Sequence, residues 1–181
     1  MAAKSTIFKA TLQISDMDRH YYQEHSLTIA RHPSETDERM MVRLLAFSLN
    51  AHERLEFGRG LSTEDEADLW QKDLTGDIEH WIDVGMPDER LVRKACGRSQ
   101  QVTVYCYGGR IAEMWHEQHS AQFNRQGNLR IVNLPLEQTQ ALALLAQRTM
   151  NLHCLVQDGL VSFSDDTSAV DLEPVLLYPA Q

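Results

Sequence analysis

The sequence predicts a single-domain protein of the α/β or α+β class, and three observations carry that prediction. "TIFKATLQI" at 6–14 and "HYYQEHSLTIAR" at 20–31 read as neighbouring strands. "NLHCLVQDGLVSFSDD" sets Asp158-Gly159 between two apolar strand-like runs, which is a hairpin signal. Segments with helical spacing lie between these strands, and the hairpins exclude a simple βαβ succession.

The elements follow in order. "HPSETDERMMVRLLAFSLNAHE" spaces Met41, Leu44, Leu45 and Leu49 as one helical face, giving a helix over about 35–52. Ser34 and Asp37 resemble a capping pattern at its start. Residues 53–66, with "GRG" and several acids, read as an irregular or short-strand connection. A hairpin is expected over 68–84. "PDERLVRKAC" opens on proline and acids and stops before Gly97, the polarity of a short helix. "QVTVYCYG" is β-branched and aromatic, a core strand. "IAEMWHEQHSAQF" reads as helix and "LRIVNL" as strand. "PLEQTQALALLAQRT" is expected to be helical around Leu142, Leu145 and Met150, with "LEPVLLY" as a last extended segment.

Composition narrows the function classes. The chain has 181 residues, 43% of them apolar, enough for a sizeable core and for one domain or one with an appended subdomain. No apolar run is long enough to span a bilayer. The opening "MAAKSTIFKATLQISD" lacks a continuous apolar signal segment before its first acid, so a cytoplasmic protein is expected. Cys96, Cys106 and Cys154 form no CxxC pair and read as buried free thiols. The net charge of −9 weakens generic nucleic-acid binding, since backbone contacts need local positive charge. It leaves room for a local basic groove.

The hairpin "ADLWQKDLTGDIEHWIDVG" raises the sharper question. With Thr75-Gly76 at the centre of the turn, Lys72 faces Glu79, Trp70 faces Trp81 and Asp68 faces Asp83. Period-two alternation puts all three pairs on one face. The charge pair and the aromatic pair each contribute roughly 0.2–1 kcal/mol. The two opposed acids repel. Either Asp68 sits at a solvated strand end where salt screens the repulsion, or a divalent cation lies between the carboxylates. Mg²⁺ is held by one or two carboxylates plus waters. Glu38 shares the core-directed stripe of the first helix, at the core's edge or pointing into a cleft. Lys94 lies on the helix after the hairpin. It either returns over the sheet to the acids or is solvated within "ERLVRKACGR", where Arg90, Arg93, Lys94 and Arg98 make the most basic stretch of the chain. A polyanion, if one binds, is expected there.

The stretch "EADLWQKDLTGDIEHWIDVGMPDERLVRKACGRSQQVTVYCYG" resembles the bacterial YaeQ family, with its DLW, WIDVG, P-D and R-K-A elements in order. The resemblance extends over the whole chain through "YYQEHSLTIARHPSETDERMMVRLLAF" and the closing "LYP". It implies one domain over 1–181 that varies the PD-(D/E)XK nuclease fold, a restriction-endonuclease-like mixed sheet flanked by helices with additional strands. The motif's first Asp then matches Asp68, preceded by Ala67 instead of proline, and its second acid matches Asp83. The motif lysine falls on Gly85, so Lys94 from the following helix is expected in its place. Glu38 matches the acid of the first core helix. The implied activity is Mg²⁺-dependent phosphodiester hydrolysis on nucleic acid, with Mn²⁺ as substitute. The implied alternative is a non-catalytic nuclease-fold protein that binds nucleic acid or the transcription machinery, following the family's association with transcription elongation.

Other chemistries find little support. "HEQH" at 116–119 is H-x-x-H and not the H-E-x-x-H of zinc hydrolases. No G-x-S-x-G elbow, Walker loop or dinucleotide fingerprint is present.

Overall fold

Apolar residues at every second position turn "TIFKATLQISD" into a strand with one dry face. In the computed structural model this is β1 (Thr6–Asp16), where Phe8, Ala10, Leu12 and Ile14 are buried. The structure describes residues 4–59 and 65–179. β1 pairs antiparallel with β2 (Tyr21–Arg31) along its whole length. The dry face accepts α1 (Asp37–Asn50), whose Met40, Met41, Leu44 and Leu45 are fully buried. Burying such side chains favours folding by about 1.5–3 kcal/mol each.

The helix begins later than the sequence suggested. Its cap is Thr36, whose Oγ1 accepts from Arg39 N–H at 3.1 Å, while Ser34 bonds His32 Nδ1 at 2.6 Å. Glu35, also buried, takes the Arg43 guanidinium in a bidentate pair at 2.6 and 2.9 Å and Arg39 at 2.7 Å. Arg43 donates in turn to the Ala30 carbonyl, tying β2 to α1.

A second group of strands follows: β3 (Leu55–Phe57), β4 (Leu69–Lys72) and β5 (Ile78–Val84). The connection read over 53–66 is β3 at its start, and its 60–64 stretch lies outside the described residues. Then come α2 (Glu89–Arg98), β6 (Ser99–Tyr107), α3 (Arg110–Phe123) and β7 (Leu129–Leu134). β5, β6 and β7 are parallel neighbours joined through the two helices, so two βαβ units do sit inside this hairpin-rich fold.

α4 (Leu136–Ala143) is shorter than its periodicity implies. Three i→i+3 bonds, from Leu144, Leu145 and Ala146, tighten and end it. The Arg148 carbonyl then accepts from Lys9 N–H, which draws the chain alongside β1. Met150 therefore belongs to β8 (Thr149–Gln157) and not to the helix. The Asp158-Gly159 turn has positive φ at both residues, 53° and 77°, as a two-residue hairpin requires. It leads into β9 (Leu160–Ser164). Asp165 then accepts from Thr167 and Ser168 N–H, turning the chain into β10 (Ala169–Leu172), a strand the sequence reading did not separate. β11 (Val175–Tyr178) is the expected last extended segment.

The strands form two mixed sheets, ordered β10-β9-β8-β1-β2 and β11-β7-β6-β5-β4-β3. The chain divides accordingly into two compact units. One comprises Met1–Leu49 and Glu137–Pro174, and the other Asn50–Leu136 and Val175–Gln181. The second unit's core gathers Trp70, Trp81, Val92, Val104, Trp115 and Phe123. Cys96, Cys106 and Cys154 are buried free thiols, as expected. No described helix is long and apolar enough to cross a membrane.

Candidate functional site

The hairpin closes differently from its expected form, and its open end is unaffected. Asp73 Oδ1 accepts from the Thr75 and Asp77 amides at 2.8 and 3.0 Å and from Thr75 Oγ1 at 2.7 Å. These bonds, the Thr75 hydroxyl foremost, hold the Asp73 pKa below its usual value. Gly76 has φ +92°, and Asp73 N–H donates to Asp77 O. The turn is thus one residue out of step with a two-residue loop, and Lys72 pairs with Ile78. A bulge then restores step, so Gln71 pairs with His80, Trp70 with Trp81 and Leu69 with Ile82.

The expected Lys72–Glu79 pair does not form. Glu79 is the residue the bulge sets aside, and it binds Arg54 at 2.5 Å. Lys72 lies over the Trp70 ring, 3.8 Å from its centroid. The expected Trp70–Trp81 pair does form, edge to face with centroids 5.7 Å apart.

Asp68 and Asp83 meet at the open end. The Asp68 amide donates to Asp83 Oδ1 at 3.1 Å, and the Val84 amide donates to Asp68 Oδ2 at 2.9 Å. The Trp81 indole N–H donates to Asp83 Oδ2 at 2.9 Å. Backbone and indole dipoles therefore offset the repulsion that the sequence reading left to salt or a cation. Trp81's polar role was not read from the sequence. Its signal was present as an indole two residues before an acid on one strand, the spacing that shares a face.

Gly85 has φ +96° and donates its N–H to the Tyr105 carbonyl at 2.8 Å. An L-residue is strained at that φ although no neighbour crowds the position. A lysine two residues after Asp83 would therefore be strained here. Lys94 projects from α2, which Asp88 caps by accepting from Arg90 N–H at 2.8 Å. The Lys94 ammonium pairs with Asp65 Oδ1 at 2.7 Å, and Arg98 donates to the Asp65 carbonyl at 3.0 Å. The hydrogen bond from Lys94 and then its charge lower the Asp65 pKa. Sequence reasoning missed Asp65 because its partner lies 29 positions away. Arg98 also reaches over the Trp81 ring, 5.2 Å from the centroid. Of the expected basic patch, Arg90, Arg93, Lys94 and Arg98 are all exposed, with Arg93 3.8 Å from Glu89.

Glu38 belongs to the first unit, where its Oε2 accepts from Thr139 Oγ1 at 3.1 Å. His116 and His119 both lie against Phe123, with centroids 6.5 and 5.9 Å away. Among the described residues no group of three or more His, Cys, Asp or Glu suits a metal. The Asp68–Asp83 pair fits a narrower demand. Carboxylate oxygens are hard donors of the kind Mg²⁺ takes. Two such groups suffice for a Mg²⁺ that keeps most of its waters.

Fold and site together define an α+β protein with two mixed sheets and a tightly bonded pair of acids at the mouth of a hairpin. The family described as YaeQ protein matches residues 1–174, and the chain belongs to the YaeQ family. The uncharacterized YaeQ protein of Escherichia coli (strain K12) is 42% identical over 172 residues, 95% of each chain. That of Salmonella typhi is 42% identical over 173 residues, 96% of each. The crystal structure of YaeQ from Xanthomonas axonopodis pv. citri superposes with a TM-score of 0.93 at 54% identity, covering 96% of this chain and 98% of that one. The YaeQ structure from Pseudomonas syringae gives 0.92 at 35% identity, covering 97% of each.

Proposed function

We propose that this chain is a Mg²⁺-dependent phosphodiester hydrolase of the PD-(D/E)XK type acting on nucleic acid. The observation that carries the reading is the juxtaposition of Asp68 and Asp83, each carboxylate fixed by an N–H from the other's strand. In this reading Asp68 and Asp83 hold the cation. A Mg²⁺ bound there supplies Lewis-acid polarisation of a phosphoryl oxygen. The Trp81 indole keeps Asp83 oriented. Lys94 leaves Asp65 and offsets charge that develops on the phosphoryl group. Arg90, Arg93 and Arg98 contact the nucleic-acid backbone.

The test is cleavage of single-stranded, duplex and branched DNA and of RNA by purified protein with Mg²⁺ or Mn²⁺. Activity is expected in the wild type and lost in Asp83→Ala and Asp68→Asn. Cleavage that persists in Asp83→Ala overturns the assignment. Calorimetric Mn²⁺ titration gives a readout independent of turnover, and equal affinity in wild type and Asp68→Asn removes the metal site itself.

A second reading is favoured by Gly85, where the motif lysine would be strained, and by the Lys94–Asp65 ion pair. In it the protein binds nucleic acid or a transcription-related protein without cleaving. Affinity capture that recovers no partner above a mock control argues against it.

A further inference from the structure

The three-stranded meander β8–β9–β10 carries a one-sided charge. After Arg148 the chain contains no lysine or arginine, while Asp158, Asp165, Asp166, Asp171 and Glu173 all follow. Leu155, Ser162 and Asp171 stand in one cross-strand row on the exposed face. The small Ser162 between two larger side chains leaves a trough. Its continuation along β9 is Ser164, flanked by Ala169 on β10 and by His153 on β8.

A cavity of about 570 Å³ opens at this trough. Its apolar surface comes from Leu155, on the β8 side, and Leu160, at the end of the β9 row, which are 43% and 54% exposed. Its acidic surface is formed by Asp171 and Glu173, with Asp158 at the turn. Among the described residues no lysine, arginine or histidine lines this cavity. A second cavity, of about 600 Å³, lies beyond the other end of β9 and is again acidic, with Glu24, Asp165 and Asp166.

We propose that this trough is a docking site for an extended, lysine- or arginine-bearing segment of a protein partner. Lysine and arginine stems lie along apolar surface while their charged heads reach outward. Leu155 and Leu160 offer that surface, and Asp171 and Glu173 receive the heads across the trough. The acids at both ends of β9 suit basic residues spaced along an extended chain. A compact single cation would use only one end. This site lies in the first unit, needs none of the hairpin acids, and stands whatever the outcome at Asp68 and Asp83.

Fluorescence anisotropy tests it on the full chain, with a fluorescein-labelled nonapeptide of alternating lysine and alanine. The wild type is expected to bind. The double variant Asp171→Asn/Glu173→Gln is expected to weaken binding about fivefold or more, the scale of two rim charges. Leu160→Ser is expected to weaken it as well, since apolar surface is lost without a change of charge. The charge-matched control Glu113→Gln/Glu117→Gln, on α3, is expected to stay within about twofold because screening limits long-range effects. Equal loss in both double variants means net charge alone and overturns the proposal. So does an absence of peptide binding, or spermidine binding where the peptide does not. Circular dichroism melting of each variant separates loss of the site from loss of the fold.

Discussion

The amide of Asp68 donates to Oδ1 of Asp83 across the mouth of the hairpin, at 3.1 Å. Like charges placed face to face destabilise a sheet, yet here each carboxylate is answered by a fixed N–H. The N–H groups thus offset the repulsion between the two acids.

Asp83→Ala removes the acceptor of both the Asp68 amide and the Trp81 indole. Leaving such donors unpaired costs about 1–3 kcal/mol each. Urea unfolding should show a loss of about 2–6 kcal/mol for the two donors together, and Asp83→Asn, which keeps one carbonyl oxygen, should lose less. Equal stability of Asp83→Ala and wild type would contradict the bonding described for the indole.

Trp81→Phe keeps a six-membered ring at this position but removes the indole N–H together with buried ring atoms, since Trp81 is 4% exposed. The lost hydrogen bond to a charged group accounts for about 1.5–3 kcal/mol, and the smaller ring adds to that loss. A double-mutant cycle with Asp83→Asn should reveal the coupling, and additive losses would show that the two side chains act independently.

Gly85→Lys would put the nuclease motif's lysine back where sequence alone would place it. At φ +96° the strain is about 1–3 kcal/mol for a non-glycine residue. Thermal melting should report that loss. Any nuclease activity should fail to rise, because the strained backbone does not hold a new side chain in the motif's geometry.

Glu35→Ala breaks a buried ion pair and leaves Arg43 uncompensated. Such a change costs about 3–5 kcal/mol. Both side chains are nearly inaccessible, at 2% and 3%, so solvent does not rescue the guanidinium. The exposed Arg31–Asp37 pair provides the contrast: Asp37→Ala should cost about 1 kcal/mol or less.

Burial raises the thiol of Cys96 to about 11 and those of Cys106 and Cys154 to about 12. The folded state keeps its protons where the unfolded chain has released them. The stabilising contribution is complete below the unfolded thiol value near 8.5 and falls as pH rises toward 11–12. Equilibrium unfolding between pH 8 and 10.5 should show stability declining, and Cys→Ala at these positions should flatten that decline. Native thiols should also react slowly with a disulfide reagent at pH 8, because little thiolate forms.

The sequence exposed what depends on local pattern. Alternation located β1, and the Asp158-Gly159 pair located β8 and β9 around a turn with two positive φ values. The Trp70–Trp81 register was legible from the turn glycine and the alternation around it. What escaped depends on partners distant in the chain or on backbone detail. Nothing near Glu79 shows that Arg54 will take it, and nothing near Lys94 points to Asp65. Met150 fits a helical stripe on paper, but the amide of Lys9 draws that segment into a parallel ladder. Ser34 fits a cap by spacing, but Thr36, two residues nearer the helix, holds the bond. The positive φ of Gly85 needed the Tyr105 carbonyl to explain it.

The bulge at Glu79 has one more consequence. Ile78 and Trp81 are three positions apart, an interval that strict alternation assigns to opposite faces, yet both enter the same core. Glu79 is, in effect, an inserted character that the ladder reads around. Deleting it alone would leave Trp70 against Trp81 and Asp68 against Asp83, and would cost only the tie to Arg54. Deleting His80 instead would restore the same alternation, because either deletion leaves one residue between Ile78 and Trp81, but it would set Glu79 opposite Gln71 and lose the His80–Thr103 hydrogen bond. The ladder therefore reads how many residues separate Ile78 from Trp81, and related chains that differ in length here should differ at the bulge.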